Sequence, residues 1–249
     1  MHSCYHAGDL GDVVYSLYVL HKLRNLHLTL GTRTCLQGLQ PRTGITWQLY
    51  MQLVPLLRGQ PCIARLDWNE QPPFAVDDLN EFRLYWRGDF RLPPIAHLLE
   101  MYCARFNVPF DAEEPWLVAD AERVASVVLA RSPRQHNWDF PWPDVVKRYG
   151  REAVFVGLPE EYEAFCGQFD PECTVRYQPT PHLWKLACVI NGCDLFIGNS
   201  SMPLAIAEGL KKNVVQEISK TTVEEAHTAI ERKGAVNWRK PGDPLEVRA

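Results

Sequence analysis

Two Gly-Asp pairs, Gly8-Asp9 and Gly11-Asp12, stand three residues apart in the stretch CYHAGDLGDVVYSLYVLHKLRN. Glycines let a backbone turn tightly and let a ligand approach it. A carboxylate at a helix start either serves a reaction as a proton acceptor or caps the helix, where the dipole stabilises it. The stretch therefore reads as a phosphate-cradling turn, a catalytic carboxylate or an ordinary helix start. It is not Gly-x-Gly-x-x-Gly, so no dinucleotide fingerprint is implied.

Two later turns offer complementary chemistry. In CDLFIGNSSMPLAIAEGLKKNVV, an apolar strand runs into Asn199-Ser200-Ser201 and then into a helix with Pro203 near its start. Helix N-termini present free N–H groups to anions. The backbone of Ser200 to Met202 and the Ser201 hydroxyl suit a diphosphate, and Glu208 suits ribose hydroxyls. The plainer alternative makes Ser201 a cap and Glu208 a surface residue. In VVLARSPRQHNWDFPW, a buried strand ends in Arg131-Ser132-Pro133-Arg134. Guanidinium groups there would pair with phosphate oxygens, or lie solvated in a loop. Trp138 and Trp142 either flank a base or sugar or belong to the core.

These turns need strands and helices to hold them. Helical spacing predicts helices over 11–25, 43–57 (weakened near its end by Pro55), 93–106, 159–169, 180–193 with Thr180 as cap, 202–212 and 222–234 ending at Gly234. Strands are expected over 26–31, 62–68, 124–132, 152–157, 173–177, 194–199 and 213–218, with 71–82 a loop. Unbroken apolar strands alternating with helices imply parallel sheets covered on both faces. A break rich in prolines and acids at 107–116 divides the chain into an N-terminal domain, 1–113, and a C-terminal domain, 114–249. The expected fold is α/β: two Rossmann-like domains facing a cleft, with all three turns at strand-to-helix junctions.

The chain has 249 residues, a net charge of -4 and 46% apolar residues. That charge argues against a protein that simply coats nucleic acid. Eight cysteines, none in Cys-x-x-Cys, read as reduced thiols of a cytoplasmic protein and imply no structural metal. No basic-then-apolar leader and no run long enough to span a membrane is visible.

Taken together, GDLGDVVYSLYVLHKLR, the stretch from Val127 to Phe165 and the late turn at 193–215 resemble glycosyltransferase family 9, the ADP-heptose:lipopolysaccharide heptosyltransferases. The likeness covers nearly all of 115–218 and only about the first thirty residues of the first half. It implies the GT-B architecture with a reduced N-terminal half: a compact, divergent member. It implies an inverting, metal-independent transferase without a cofactor, whose nucleotide-diphosphate sugar is the donor substrate. The donor would bind the C-terminal half and the acceptor the N-terminal half. Asp12 matches the family's N-terminal aspartate and would be the base. Gly11, Arg131, Ser132, Arg134, Asn199, Ser200, Ser201, Met202 and Glu208 would face the donor. His6, Asp9 and His97 would face the acceptor.

The late turn departs from the family, which commonly has Gly-Asn-Asp-Ser-Gly-Pro and then a His. Here Ser200 replaces the Asp, Met202 the Gly and Ala205 the His. The acceptor would be a saccharide, a small molecule or modified DNA. For DNA, as in phage-type enzymes acting on hydroxymethylated pyrimidines, FRLYWRGDFR supplies a basic, aromatic cluster. Arg83, Tyr85 and Arg87 would share one strand face there, with Arg91 beyond. An inactive nucleotide-binding relic is the reading from another class, favoured by the altered late turn.

Overall fold

Short apolar runs build the strands. Val127–Ala130 is buried at every position, as a strand covered on both faces must be. A computed structural model describes residues 2–33, 44–73, 76–87, 97–169, 173–219 and 229–247. It divides into two compact units. The first comprises Met1–Asp111, Trp116–Val118 and His182–Trp184; the second comprises Ala112–Pro115, Ala119–Pro181 and Lys185–Ala249.

The first unit contains strands β1 (His2–His6), β2 (Leu26–Leu30), β3 (Ile63–Trp68) and β4 (Asp77–Asp78). They form a parallel sheet in the order β3-β2-β1-β4. Helix α1 (Leu10–Leu23) follows β1 and buries an unbroken run from Val13 to Leu20. Helix α2 (Trp47–Arg58) starts at Thr46, whose hydroxyl accepts from the Leu49 N–H, and runs three residues past Pro55. Helix α3 (Leu98–Phe106) is capped by His97.

The second unit contains β5 (Val127–Ala130), β6 (Ala153–Phe155), β7 (Arg176–Tyr177), β8 (Leu195–Asn199), β9 (Asn213–Glu217) and β10 (Ala235–Trp238). All are parallel, in the order β10-β9-β8-β5-β6-β7. Helices α4 (Trp142–Tyr149), α5 (Pro159–Cys166), α6 (Leu183–Gly192) and α7 (Met202–Gly209) connect them. Phe140, Trp142, Phe155, Phe165 and Trp238 fill the core on one side of this sheet.

Four expectations change. The stretch 71–82 is not all loop: it includes β4, then a 3-10 helix, Leu79–Arg87. Arg83, Tyr85 and Arg87 therefore share no strand face, because a 3-10 helix repeats every three residues. Helix α6 begins at Leu183, so Thr180 is not its cap. Of the helix expected over 222–234, residues 222–228 lie outside the described residues, and 229–234 run without helix into a turn at Gly234, φ 75°. Residues 93–96 and 88–91, with Arg91, and Cys35 also lie outside them. The seven described cysteines are free thiols. Among the described residues, no helix is long and apolar enough to cross a membrane.

Candidate functional site

In an open parallel sheet, ligands bind beyond the carboxyl ends of the strands, where strand order reverses direction. In the first sheet that point lies between β1 and β4. The turn after β1 carries Gly8, Asp9 and Asp12, and the segment after β4 carries Asn80 and Arg83. Asp9 is the cap residue of α1, and Asp12 is three positions on. The Asp12 carboxylate accepts from the Asp9 backbone N–H, which is the return half of a capping box. It also pairs with Arg83 Nη2. The two side chains are 13% and 14% exposed, so the pair is largely dry but reachable. Burial pushes the Asp12 carboxyl up to about 6, against the pull of Arg83, and Asp9 adds to the rise.

Beneath Asp12 lies a fixed polar chain. The Gly8 N–H donates to His6 Nδ1 (2.8 Å). That leaves the ring proton on Nε2, which donates to the Tyr102 hydroxyl (2.8 Å). Tyr102 in turn donates to the Asp12 carbonyl (3.1 Å). His6 is fully buried, and burial lowers its pKa to about 3, so it stays neutral. Its expected place facing the acceptor is corrected: both nitrogens are engaged in bracing the turn. Gly8 is required here, since a Cβ would lie 2.5 Å from His6 Cε1 and 3.1 Å from Asp12 Oδ2. His97 is also corrected from an acceptor contact to a helix cap. Its Nδ1 accepts from the Leu99 N–H (3.1 Å), and its ring packs edge-on against Phe110. Gly11, grouped with the donor residues from sequence, stands in the first turn of α1 beside Asp12, in the first unit.

In the second sheet the reversal falls between β5 and β8, with Ala130 registered against Gly198. The loop after β5 and the turn after β8 are tied by Asn199. Its Oδ1 accepts from the Ser132 N–H (3.0 Å). Its Nδ2 donates to the carbonyls of Ser132 (3.0 Å) and Arg134 (2.6 Å). Asn199 is fully buried, so it holds the two turns together without meeting solvent. Ser201 precedes α7 in extended backbone, and its hydroxyl donates to the Asn199 carbonyl (3.0 Å). The first bond of the helix is from the Ala205 N–H to the Ser201 carbonyl (3.1 Å). The Met202 and Leu204 amides precede it, where a helix offers no internal acceptor. Ser200 is 8% exposed, and Ser201 and Met202 are half-buried. Arg134 is exposed, and Trp138 presents its ring to solvent at 79% exposure.

Arg131 does not point a free guanidinium at a phosphate, as the sequence suggested. Its Nε and Nη2 each donate to the Glu217 carboxylate (3.1 Å), and Nη1 donates to Gln168 Oε1 (3.0 Å). It lies over the rings of Trp142 and Trp138. Trp142 is core, with its Nε1–H on Glu217 (2.9 Å). Glu208 is likewise corrected. It is 1% exposed and paired with Arg232 Nε (2.6 Å), which occupies one oxygen; the other, Oε1, is buried without a hydrogen-bond partner among the described residues. Burial raises its pKa despite Arg232.

Sequence reasoning missed Asn80, Tyr102 and Glu217, and placed Arg83 in a rim for DNA. Arg83 is instead the counter-charge of Asp12. The signal was faint: a basic residue soon after an acidic Asp77-Asp78 pair.

No protein-family profile matches the sequence, and no curated protein matches it. Solved structures do. A family 9 glycosyl transferase from Veillonella parvula is similar over 98% of this chain and 88% of its own, with a TM-score of 0.62 and 15% identity. The E. coli heptosyltransferase WaaC, solved with ADP-2-deoxy-2-fluoro heptose, is similar over 87% of this chain and 88% of its own (TM-score 0.52, 12% identity). The dodecameric iron-containing heptosyltransferase TibC of enterotoxigenic E. coli, solved with ADP-D-beta-D-heptose, is similar over 95% of this chain and 63% of its own (TM-score 0.55, 17% identity). The fold is therefore that of the family 9 glycosyltransferases, an α/β architecture of two parallel sheets.

Proposed function

We propose that the protein is a glycosyltransferase that moves a sugar from a nucleoside-diphosphate sugar to an acceptor hydroxyl, with inversion and without a metal in the transfer step. The observation that carries this reading is the Asp12 carboxylate, buried beside Arg83 at the reversal point of a sheet in a family 9 fold. The donor's diphosphate lies at the start of α7, against the Met202 and Leu204 amides. Arg134 supplies the free positive charge, and Trp138 offers a face for the nucleobase. The acceptor oxygen attacks the anomeric carbon as its proton passes to Asp12. The bond from that carbon to the diphosphate breaks, and the nucleoside diphosphate leaves with the electron pair. One base and one displacement invert the anomeric centre. The helix amides and Arg134 stabilise the leaving charge.

Asp12 must be ionised to take a proton. Its pKa is raised to about 6, so kcat/KM rises with pH through about 6 and then levels. Arg83 lowers that pKa, so Arg83→Gln moves the acid limb to higher pH. The measurement is the rate of nucleoside diphosphate release for both proteins across a pH range centred on about 6. A flat profile in the native protein, or an unmoved limb in Arg83→Gln, counts against Asp12 as the base.

A further inference from the structure

His2 and Cys4 are two residues apart on β1 and so lie on one face of the strand. Asp77 is the β4 residue registered directly against Cys4. The side chains converge: one ligand atom from each of His2, Cys4 and Asp77 lies within 4.8 Å of the other two. His2 Nε2 and Asp77 Oδ2 are 2.5 Å apart, and both side chains are about half exposed. Cys4 is fully buried beneath them, and no hydrogen bond holds its thiol among the described residues.

We infer that His2, Cys4 and Asp77 form a binding site for a divalent cation of the zinc type. The donor set is one nitrogen, one sulfur and one oxygen. Imidazole and thiolate favour zinc, whereas magnesium and calcium take oxygen ligands. A neutral imidazole, a thiolate and a carboxylate together balance a divalent charge. The Cys4 proton leaves to solvent on binding. Bonds of about 2.0–2.3 Å set tetrahedral ligand atoms roughly 3.3–3.8 Å apart. The ion therefore replaces the His2–Asp77 contact through a small movement of two exposed side chains. The exposed side leaves a fourth position for water.

Its place in the fold gives it a use. Strand β4 is two residues long, held to β1 through Cys4–Asp77 and Tyr5–Asp78, and leads directly to the 3-10 helix that carries Arg83. A metal shared by β1 and β4 pins that junction, and so the partner of Asp12. The ligands meet across two strands, which is why no Cys-x-x-Cys spacing announces them. The inference does not depend on glycosyl transfer.

The test is titration of the chelator-stripped full chain with Zn²⁺ and Co²⁺. One equivalent binds, and the cobalt form shows a thiolate-to-cobalt charge-transfer band that Cys4→Ser removes. His2→Ala and Asp77→Asn each weaken binding by more than about 10-fold, since even outer-shell partners are worth that much. Those two positions are exposed, so they keep the test readable if Cys4→Ser fails to fold. Failure to bind zinc at micromolar concentration overturns the inference. So does binding unchanged in both His2→Ala and Asp77→Asn, which would place the ion on other thiols.

Discussion

Asp12→Asn is expected to slow transfer by about 10²–10⁴-fold, the usual worth of a positioned general base. Asparagine keeps the size of the side chain and an oxygen to accept from the Asp9 N–H and from Arg83. The turn after β1 therefore stays in place. What disappears is the ability to hold the acceptor's proton. The loss falls on kcat, with nucleotide binding close to that of the native protein, while unfolding shifts as well because the largely dry Arg83 loses its counter-charge. The residual activity also lacks the acid limb near 6, because the group that titrates there is gone. A purely structural Asp12, acting only as the return half of a capping box, would show altered unfolding with unaltered turnover.

Glu217→Ala is expected to destabilise the protein by about 3–5 kcal/mol, because it leaves a buried charge without its partner. Glu217 is fully buried and accepts from four donors: Arg131 Nε, Arg131 Nη2, the Asn137 N–H and Trp142 Nε1. Alanine strands the Arg131 guanidinium, whose side chain is 5% exposed. The double variant Arg131→Met with Glu217→Met is expected to recover part of the loss, since an apolar pair of similar volume removes both charges but leaves the Asn137 N–H and the Trp142 Nε1–H without their acceptor. Urea unfolding of Arg131→Met, Glu217→Met and the double variant, arranged as a double-mutant cycle, measures the coupling. A loss under about 1 kcal/mol for Glu217→Ala would mean that the pair is solvated, with surface-pair energetics. Arg131 would then be free for phosphate after all.

The two positions show what a sequence reveals and what it hides. Val127–Ala130 and Leu195–Asn199 are apolar runs that stop at polar turns, so both strands and their turns were legible in sequence, while their adjacency at the reversal point was not. Asp12 was legible too, as a carboxylate at the head of an apolar-periodic helix. Its partner was not. Arg83 is far along the chain, on a 3-10 helix that lacks both the helical and the strand period, and 71–82 therefore read as loop. Arg131 and Glu208 failed for a related reason. A charge at the end of a strand or in a helix looks the same in sequence whether it meets a ligand or a buried counter-charge such as Glu217 or Arg232. Only the long-range contact decides. His6 stood at the right place in the chain, but its fully buried ring serves the turn instead of a substrate.

The most direct test of the donor site is a thermal-shift titration of the native chain and of Arg134→Ala with the five common nucleoside diphosphates. A ligand that binds only the folded state at about 100 times its Kd adds about 2.7 kcal/mol of stability. The account predicts that at least one nucleoside diphosphate raises Tm with increasing concentration, and that Arg134→Ala shrinks the shift. No shift from any of the five at millimolar concentration would contradict it.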